Sequence, residues 1–337
     1  MDDALTVVHV AVRDCLSDLF DSRRALVLVA CSGGPDSLTL AAVLAATARA
    51  HDLRAGAVVV DHGWSAEASA AGERAAGQCR ELGLEPVELV AVPGRSTGAS
   101  GGPEAVARAA RYTALEEAAQ RLGAAAVLLG HTLDDQAETV LLGLGRGSGA
   151  RSLAGMPARR GRFRRPFLSV RRKVVADAGA ALQLHPWHDP ANDDPAYTRV
   201  RVRRLSGELE KALGAGTAQA LARSAQLLRE DADALDELAA ELLGRSLVEN
   251  TGPCELWVSP LREALPAIRR RALLAAAQRA GCPGGALTHR HALALDKLVA
   301  DGRGQVALPG RVTAEVMRPS PGHAGARVCL KRRIVAG

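Results

Sequence analysis

In the first half of the chain, four short apolar runs alternate with stretches in which apolar residues recur at helical spacing. The runs are residues 25–30, 55–60, 86–92 and 124–130. Such runs are typical of buried strands, and their alternation with helices favours an α/β fold with a doubly wound parallel sheet. An amphipathic segment at 4–20 predicts a leading helix that covers this sheet. Ligands of such sheets bind beyond the carboxyl ends of the strands, so the residues that follow each run are candidates for a site.

The second part of the chain has a different pattern. From about residue 207 it is rich in alanine and helical in period, with short strand-like pieces between the helices. The length of 337 residues suits two domains. We therefore expect an α/β domain over 1–206 and a smaller, mostly helical domain over 207–337. The elements predicted in the second domain are helices at 217–244 (a linker helix), 261–280 and 288–300, and strands at 254–258 and 305–308.

Composition narrows the class of protein. Hydrophobic residues make up 47% of the chain, which is enough for a core. No apolar run approaches the length of about 18 residues that a membrane span needs, and Asp2 and Asp3 stand where a signal peptide would carry basic residues. Six cysteines occur without a C-x-x-C pair, which argues against a zinc ribbon, an iron–sulfur site or a disulfide scaffold. We expect a cytoplasmic protein without a membrane partner.

Basic residues are concentrated in one segment. The net charge of +6 favours a polyanionic partner, and eight of the fifteen residues at 159–173 are Arg or Lys. Aromatic residues make up only 2% of the chain, so base stacking cannot be the main mode of nucleic-acid recognition. We expect phosphate contacts from this segment and from the next basic stretch, with a solvated basic face as the alternative. The predicted contact residues are Arg162, Arg164, Arg165, Arg199 and Arg201.

The first apolar run is followed by the sequence SGGPDS at residues 32–37. The two glycines allow the backbone to turn with its N–H groups pointing inward, the proline suits the first position of a helix, and the helix dipole adds positive charge there. The pattern predicts a phosphate site, although an ordinary strand-to-helix turn has the same outline. No lysine follows the glycines, so this is not a Walker loop. Asp36 would place a carboxylate beside the phosphates, which indicates a bridging Mg²⁺.

The fourth apolar run is followed by carboxylates at helical spacing. Thr132 with Asp135 three residues later is a helix-capping signal, which explains part of the acidity. Asp134 and Asp135 lie four and three residues before Glu138, so at least two carboxylates share one helix face at the end of a strand. The sequence therefore predicts a cation site, for a metal or for an ammonium group.

SGGPDS resembles the PP-loop of ATP pyrophosphatases, which cleave ATP between the α and β phosphates and pass AMP to an acceptor. Together with further stretches it is similar to one member of that group, the tRNA(Ile)-lysidine synthetases. The resemblance implies ATP-dependent ligation of lysine to C2 of the wobble cytidine in tRNA(Ile) with a CAU anticodon, through an adenylated tRNA, with release of AMP and pyrophosphate. It covers roughly residues 25–204, and its further stretches are DHGWS, PEAVARAARYTAL, GHTLDDQAETVLLGLGRGSGARSLAGM, RPFLSVRR and DPANDDPAYTRVRVRR.

The resemblance also implies roles for individual residues. Asp36, Arg111, Asp135 and Glu138 are assigned to catalysis, with Mg²⁺ at Asp36 and the substrate L-lysine at Asp135 and Glu138. For the helix face that carries Arg111, a solvated salt-bridge face is the alternative. The helical domain and the arginines named above would bind tRNA, and no obligate protein partner is expected. The residues assigned to ATP are Ser32, Gly33, Gly34, Pro35, Asp36, Ser37 and His131.

The chain departs from the family pattern at two points. Val200 stands where asparagine is expected, which weakens the transfer of any role to that position. Longer relatives carry a further C-terminal domain, so its contribution would have to come from residues 245–337 or be dispensable. Two other classes of PP-loop enzyme are alternatives. A tRNA thiolase would need cysteine pairs, which this chain lacks, and an amidotransferase-type synthetase would need an ammonia-generating domain or partner. A non-enzymatic RNA-binding protein would account for the arginines but not for the intact loop.

Overall fold

The structure, a computed structural model, contains two compact units, Met1–Leu227 and Leu228–Gly337. They divide within the helix Thr217–Ser246, the predicted linker, and so later in the chain than the boundary predicted after residue 206. Trp64 of the DHGWS segment lies outside the described residues. The structure describes residues 2–22, 24–63, 65–92, 102–147, 149–248, 254–319 and 325–332.

The first unit is built on a six-stranded, mostly parallel sheet. Its strands are β1 (Leu26–Ala30), β2 (Arg54–Asp61), β3 (Val87–Ala91), β4 (Ala126–Leu129), β5 (Arg159–Arg160) and β6 (Phe163–Arg164). Their order is β3-β2-β1-β4-β6-β5, and all neighbours are parallel except β5 and β6. The predicted doubly wound sheet is thereby confirmed. The short β5–β6 hairpin lies in the basic segment, where no strand was predicted.

Helices cover the sheet of the first unit. Val8, Val12 and Leu16 of the leading helix are fully buried in the core, as its amphipathic pattern predicts. Short 3-10 turns lie at Ser17–Leu19, Pro166–Ser169 and Pro190–Asn192. The α-helices are α1 (Asp2–Leu16), α2 (Pro35–Ala50), α3 (Ala66–Glu81), α4 (Gly102–Arg121), α5 (Leu133–Leu144), α6 (Ala150–Leu153), α7 (Arg172–Ala181), α8 (Thr198–Leu213) and the first part of α9 (Thr217–Ser246).

Both faces of the central strands β1 and β4 are buried, which explains why these strands read as continuous apolar runs. Val27 and Val29 of β1 join the core formed with α1, α2, α3 and α7. Leu26 and Leu28 point to the other face and pack with residues of α4. Full burial of such a side chain stabilises the fold by about 1.5 to 3 kcal/mol. The central strands, and with them their carboxyl ends, are therefore held firmly in place.

The strand order reverses between β1 and β4, which are neighbours in the sheet. On one side of this point lie β2 and β3, and on the other lies β6. In doubly wound sheets a crevice opens beyond the strand ends at such a reversal, and ligands bind there. The loop at residues 32–37 follows β1, and His131 and Thr132 follow β4. Both candidate segments therefore meet at this crevice.

The second unit combines helices with a four-stranded antiparallel sheet of order β7-β10-β9-β8. Two of its strands, β9 and β10, were not predicted. The helix predicted at 261–280 is divided at Pro266, because proline cannot continue a helix and opens a new one instead. The strands are β7 (Cys254–Trp257), β8 (Gln305–Leu308), β9 (Val312–Met317) and β10 (Arg327–Arg332). The helices are the rest of α9, α10 (Val258–Glu263), α11 (Pro266–Arg279) and α12 (His289–Asp301), with 3-10 turns at Gly284–Ala286 and Pro309–Arg311. In the described parts of both units, no helix combines the length and the apolar character needed to span a bilayer.

Candidate active site at the carboxyl edge of the sheet

The loop at residues 32–37 closes on itself through its serine side chains. Ser37 Oγ accepts a hydrogen bond from the Ser32 backbone N–H at 3.1 Å and donates one to the Gly34 carbonyl at 3.0 Å. Gly34 is the N-cap of α2 and Pro35 its first residue, as predicted. The first N–H groups of a helix have no partner within the helix and carry the positive end of its dipole. The geometry therefore suits an anion such as a phosphate.

Two glycines allow close approach of the backbone at this loop. Gly33 has a φ of 78°, and a Cβ there would lie 3.0 Å from the Cβ of Ala75, so both conformation and space favour glycine. Gly130 directly follows β4, and a Cβ there would lie 3.2 Å from the Asp36 carbonyl and from the Cα of Ser37. The end of β4 thus touches the first turn of α2. This contact brings the segment that starts α5 next to the loop.

Asp36 is the least satisfied group of the loop. Its side chain is 23% exposed, and its Oδ1 is buried without a hydrogen-bond partner among the described residues. Burial raises the pKa of this carboxyl to about 6, although Arg172, whose Nε lies 3.7 Å from Oδ2, acts in the opposite direction. A buried oxygen without a partner is unfavourable until a ligand completes it. A divalent cation is a ligand of the right charge.

Asp135 makes two separate sets of contacts. Its Oδ2 accepts hydrogen bonds from the backbone N–H and the hydroxyl of Thr132, at 2.7 and 2.8 Å, which completes a capping box and confirms the capping prediction. Its Oδ1 accepts a hydrogen bond from Arg172 at 2.7 Å. Burial opposes ionisation, but the charge of Arg172 and the bonds from Thr132 outweigh it and hold the pKa of Asp135 below its usual range. One oxygen of this carboxylate is therefore structural, and the other faces a cation.

A single arginine connects Asp36 with the two carboxylates that were predicted to bind lysine. Besides Asp36 and Asp135, Arg172 reaches Glu138, whose Oε1 lies 3.2 Å from both terminal nitrogens of the guanidinium. Glu138 is only 3% exposed, and the same oxygen accepts a hydrogen bond from Nε of Arg203 at 3.1 Å. The structure thus brings all three carboxylates together. It also places two arginines of the chain itself in the predicted cation site.

Sequence reasoning missed Arg172 and Arg203 because both lie in basic stretches that were interpreted as nucleic-acid contacts. One signal was available, since Arg172 is the first residue of α7, where the helix dipole disfavours a positive charge unless carboxylates lie nearby. Asp134 does not join the central group. It accepts hydrogen bonds from Nε of Arg171 at 3.1 Å and from the backbone N–H of Arg172 at 2.7 Å, so it anchors the start of α7.

A second group of side chains near the loop carries nitrogen atoms without partners. Arg111 Nε and His131 Nδ1 are both buried and have no hydrogen-bond partner within the described part of the chain. Burial and the nearby charge of Arg108 lower the pKa of Arg111. Burial also lowers the pKa of His131 to about 3, against the effect of Asp135, so its ring is neutral at physiological pH. The guanidinium groups of Arg108 and Arg111 lie 5.1 and 5.7 Å from the ring of Tyr112. Positive charges gathered around unpartnered donors suit an anionic ligand.

The structure corrects two of the predicted tRNA contacts. Arg164 and Arg165 are only 3% and 5% exposed. Arg164 donates hydrogen bonds to both carboxylate oxygens of Asp18. Arg165 donates to the Pro157 carbonyl at 2.8 Å and to the hydroxyl of Tyr112 at 3.1 Å. The protein encloses both guanidinium groups, so they act as internal cross-links and not as surface contacts for phosphate.

The other three predicted arginines differ in their accessibility. Arg162 is 42% exposed, and Arg201 is exposed on α8. Arg199 is half-buried, and its charge contributes to the lowered pKa of Arg111, which places it near the second group. Val200, at the position where the family pattern has asparagine, is 7% exposed and belongs to the core. Contacts of these arginines with tRNA remain predictions.

Comparison with known proteins identifies the family. Residues 7–209 match the model of the PP-loop domain. The chain is 53% identical to the tRNA(Ile)-lysidine synthase of Thermobifida fusca over 312 residues, which cover 91% of this chain and 93% of that protein. It is 54% identical to the tRNA(Ile)-lysidine synthase of Streptomyces coelicolor, with 86% and 82% covered. The relative from Mycobacterium tuberculosis is 43% identical, with 91% of both chains covered.

A solved structure supports the fold. The U34-tRNA thiolase NcsA from Methanococcus maripaludis superposes with a TM-score of 0.58 at 21% identity, covering 68% of this chain and 81% of that one. This likeness concerns the fold alone. The relatives of high identity extend past the PP-loop domain and share one name, so the thiolase alternative is not favoured. The chain belongs to the PP-loop proteins and, among them, to the tRNA(Ile)-lysidine synthase family.

Proposed function

We propose that this protein is a tRNA(Ile)-lysidine synthetase, a ligase that uses ATP to form a carbon–nitrogen bond between L-lysine and C2 of the wobble cytidine in tRNA(Ile) with a CAU anticodon. In the first step, O2 of the cytidine attacks the α-phosphate of ATP, and pyrophosphate leaves. In the second step, the ε-amine of lysine attacks C2 and loses a proton, and AMP leaves with the former O2 atom.

One observation carries this proposal beyond the names of the relatives. A single guanidinium group, that of Arg172, reaches both Asp36 of the phosphate loop and the pair formed by Asp135 and Glu138. A nucleotide in the loop and an ammonium group at the pair would therefore lie within one short span. Two reactants held this close, on either side of one base, need little further organisation to react.

The loop supplies the first step. Backbone N–H groups at the start of α2 and the hydroxyls of Ser32 and Ser37 would hold the phosphates of ATP. Asp36 would hold Mg²⁺, which neutralises charge on the departing pyrophosphate. In the described ranges, no group of three or more His, Cys, Asp or Glu side chains could hold a metal ion. A single carboxylate nevertheless fits Mg²⁺, because this ion is usually bound by one or two carboxylates together with phosphates and water.

Arg111 and His131 would act on the same phosphates. Arg111 is positively charged, and its Nε has no hydrogen-bond partner among the described residues. Its guanidinium would stabilise the negative charge that develops on the α-phosphate during attack. The ring of His131 is neutral because its pKa is low, so it can donate one N–H to the nucleotide or the base without drawing Asp135 into a fixed ion pair. These two residues thus serve adenylation and not lysine binding.

Asp135 and Glu138 would bind the amine substrate. Their carboxylates attract the cationic amino acid, and once the ε-amine attacks they can accept the proton that it loses. The exposed and half-buried arginines of the first unit, Arg162, Arg199 and Arg201, would contact tRNA phosphates, helped by the second unit. The proposal requires no further protein partner.

Mass spectrometry of the nucleosides tests this function. The purified chain is incubated with ATP, Mg²⁺, lysine and a transcript of tRNA(Ile) with a CAU anticodon, and the digest is searched for lysidine. We expect lysidine together with AMP and pyrophosphate, and about 1000-fold slower formation of all three with Asp36→Ala. Pyrophosphate release without incorporation of lysine would refute the choice of acceptor and favour another PP-loop tRNA enzyme.

A further inference from the structure

Resting on this proposed function, we propose that Arg172 is a displaceable competitor for the lysine site. In the ligand-free protein its guanidinium occupies the pair formed by Asp135 and Glu138. Nucleotide binding withdraws it, so that lysine binds after ATP.

The contacts of Arg172 match those that an ammonium ligand would need. Its guanidinium lies 2.7 Å from Oδ1 of Asp135 and 3.2 Å from Oε1 of Glu138. The other oxygen of Asp135 is used by the cap at Thr132, so Oδ1 is the atom of this carboxylate that remains for a cation. While Arg172 holds these atoms, a lysine ammonium would meet a like charge in the same place.

The side chain of Arg172 can leave without disturbing its helix. The backbone N–H of Arg172 is held separately, by Oδ2 of Asp134 at 2.7 Å, and this bond fixes the first residue of α7. The side chain is 25% exposed, so one side of it faces open space. Arg203 continues to neutralise Glu138 after the guanidinium of Arg172 has moved. The arrangement therefore separates a fixed backbone from a movable charge.

The phosphate loop offers this charge another position. Nε of Arg172 already lies 3.7 Å from Oδ2 of Asp36, at the edge of the loop. Phosphates bound in the loop carry more negative charge than one Mg²⁺ at Asp36 neutralises, so the bound nucleotide would attract the guanidinium toward the loop. Movement toward the phosphates would free the carboxylate pair. Such coupling is reciprocal, so lysine and the nucleotide should each strengthen the binding of the other.

Equilibrium dialysis of radiolabelled lysine against the full chain tests the inference, with and without Mg²⁺ and an ATP analogue that carries an α,β-methylene bridge. For the wild type we expect the analogue to tighten lysine binding by about tenfold or more. Arg172→Gln should bind lysine without the analogue about as tightly as the wild type does with it. Lys173→Gln is the matched control, because it removes the same charge from the neighbouring residue, which is 82% exposed and paired with Asp177. It should behave as the wild type.

Three results would overturn the inference. The first is a wild type that binds lysine equally well with and without the analogue. The second is a folded Arg172→Gln variant whose lysine binding is unchanged or weaker, which is expected if Arg172 only stabilises the folded site. Should this variant fail to fold, Arg172→Lys takes its place, because a single ammonium group cannot span the same oxygens. The third result is an Arg172→Lys variant in which the analogue tightens lysine binding as much as it does in the wild type.

Asp135→Asn separates this inference from the proposed function. If Asp135→Asn leaves lysine binding unchanged in both conditions, the carboxylate pair is not the lysine site, and the proposed function loses that assignment. If Asp135→Asn weakens lysine binding while Arg172→Gln does not tighten it, the lysine site stands and only the displacement of Arg172 is refuted.

Discussion

The two halves of the site are prepared for their ligands in opposite ways. Around the phosphate loop, Asp36 Oδ1, Arg111 Nε and His131 Nδ1 are buried without partners within the described chain. At the start of α5, by contrast, Asp135 and Glu138 are already paired with arginines of the protein. A group left unpaired raises the free energy of the empty site and favours ligand binding, whereas a paired group must first release its partner.

This difference assigns separate tasks to the two halves. The phosphate side is ready for its ligand before it arrives, which favours early binding of ATP. The carboxylate side is electrostatically neutralised when empty, which keeps the buried Glu138 from being left as a lone charge. The proposed order of the two chemical steps, adenylation before attack by the amine, agrees with this difference.

The largest expected effect comes from removing the carboxylate of Asp36, whose Oδ1 has no hydrogen-bond partner among the described residues. Asp36→Ala should lower pyrophosphate release by about 1000-fold, because one well-placed electrostatic group contributes on that order to a transition state. Affinity for tRNA should be unchanged, and a filter-binding assay with the same preparation is the control. Pyrophosphate release at the wild-type rate would show that Asp36 is not the group that the loop depends on.

The pH dependence of stability should have opposite signs in the two halves. The pKa of Asp36 is raised to about 6 in the folded protein, so its contribution is favourable below about pH 4 and is lost as the pH rises through 6. Asp36→Asn should therefore be more stable than the wild type above pH 6, by up to about 3 kcal/mol, with no gain near pH 4. The pKa of Asp135 is lowered, so this carboxylate contributes stability above pH 4 that disappears at lower pH.

Urea unfolding of both asparagine variants between pH 4 and 8 measures this contrast. Asp135→Asn is suited to it because the amide keeps an oxygen for the cap at Thr132 and loses only the charge. If both variants shift stability in the same direction at neutral pH, the contrast between the two halves is refuted.

Loss of charge at the carboxylate pair should affect lysine and spare ATP. Glu138→Gln is expected to raise the lysine concentration needed for half-maximal transfer by roughly 10- to 100-fold, because a buried charge on the ligand would lose its counter-charge. Adenylation should persist. Trapping the adenylated tRNA with this variant and then adding lysine measures transfer alone, and normal transfer would refute the amine role of Glu138.

The smallest expected effect concerns the arginines, where exposed and enclosed guanidinium groups are compared. Arg162→Ala and Arg201→Ala should each lower the slope of log K for tRNA against log salt by about 0.7 to 0.9, with ATP affinity unchanged. Arg164→Ala should instead lower thermal stability, because the buried guanidinium and its hydrogen bonds to Asp18 and to the Cys15 carbonyl would be lost. If the salt slope of tRNA binding changed only with Arg164→Ala, the assignment of Arg162 and Arg201 as tRNA contacts and of Arg164 as an internal residue would be wrong.

Much of the fold could be predicted because its signals are local. The central strands read as apolar runs since both faces of the sheet are covered, and Pro35 and Thr132 mark helix starts through backbone chemistry. The strand β10 was missed for the opposite reason. It begins with Arg327, which is buried and paired with Glu255 of β7 at 2.6 Å, and it ends with Lys331 and Arg332, so only three consecutive apolar residues remain to reveal a strand.

The candidate site was predictable in its parts and not in their connections. The loop and the carboxylates of α5 stand next to recognisable strand ends, and the structure places them together. The pairing of Glu138 with Arg172 and Arg203 depends on residues far apart in the chain, which a helical period cannot show. For the same reason, the enclosed Arg164 could not be distinguished from the exposed Arg162 by composition.

Gly130 has a consequence for the choice of amino acid. Because it lets the end of β4 lie against the first turn of α2, backbone packing sets the distance between the phosphate loop and the carboxylate pair. A fixed distance selects substrates by length. Ornithine, one methylene shorter than lysine, could bring its terminal amine to the pair only by drawing its α-amino end away from its own contacts, and a missing methylene typically costs roughly 10- to 200-fold in specificity. Competition between the two amino acids measures this selectivity, and Gly130→Ala, whose Cβ would lie 3.2 Å from the Asp36 carbonyl and so displace the two segments slightly, should reduce it.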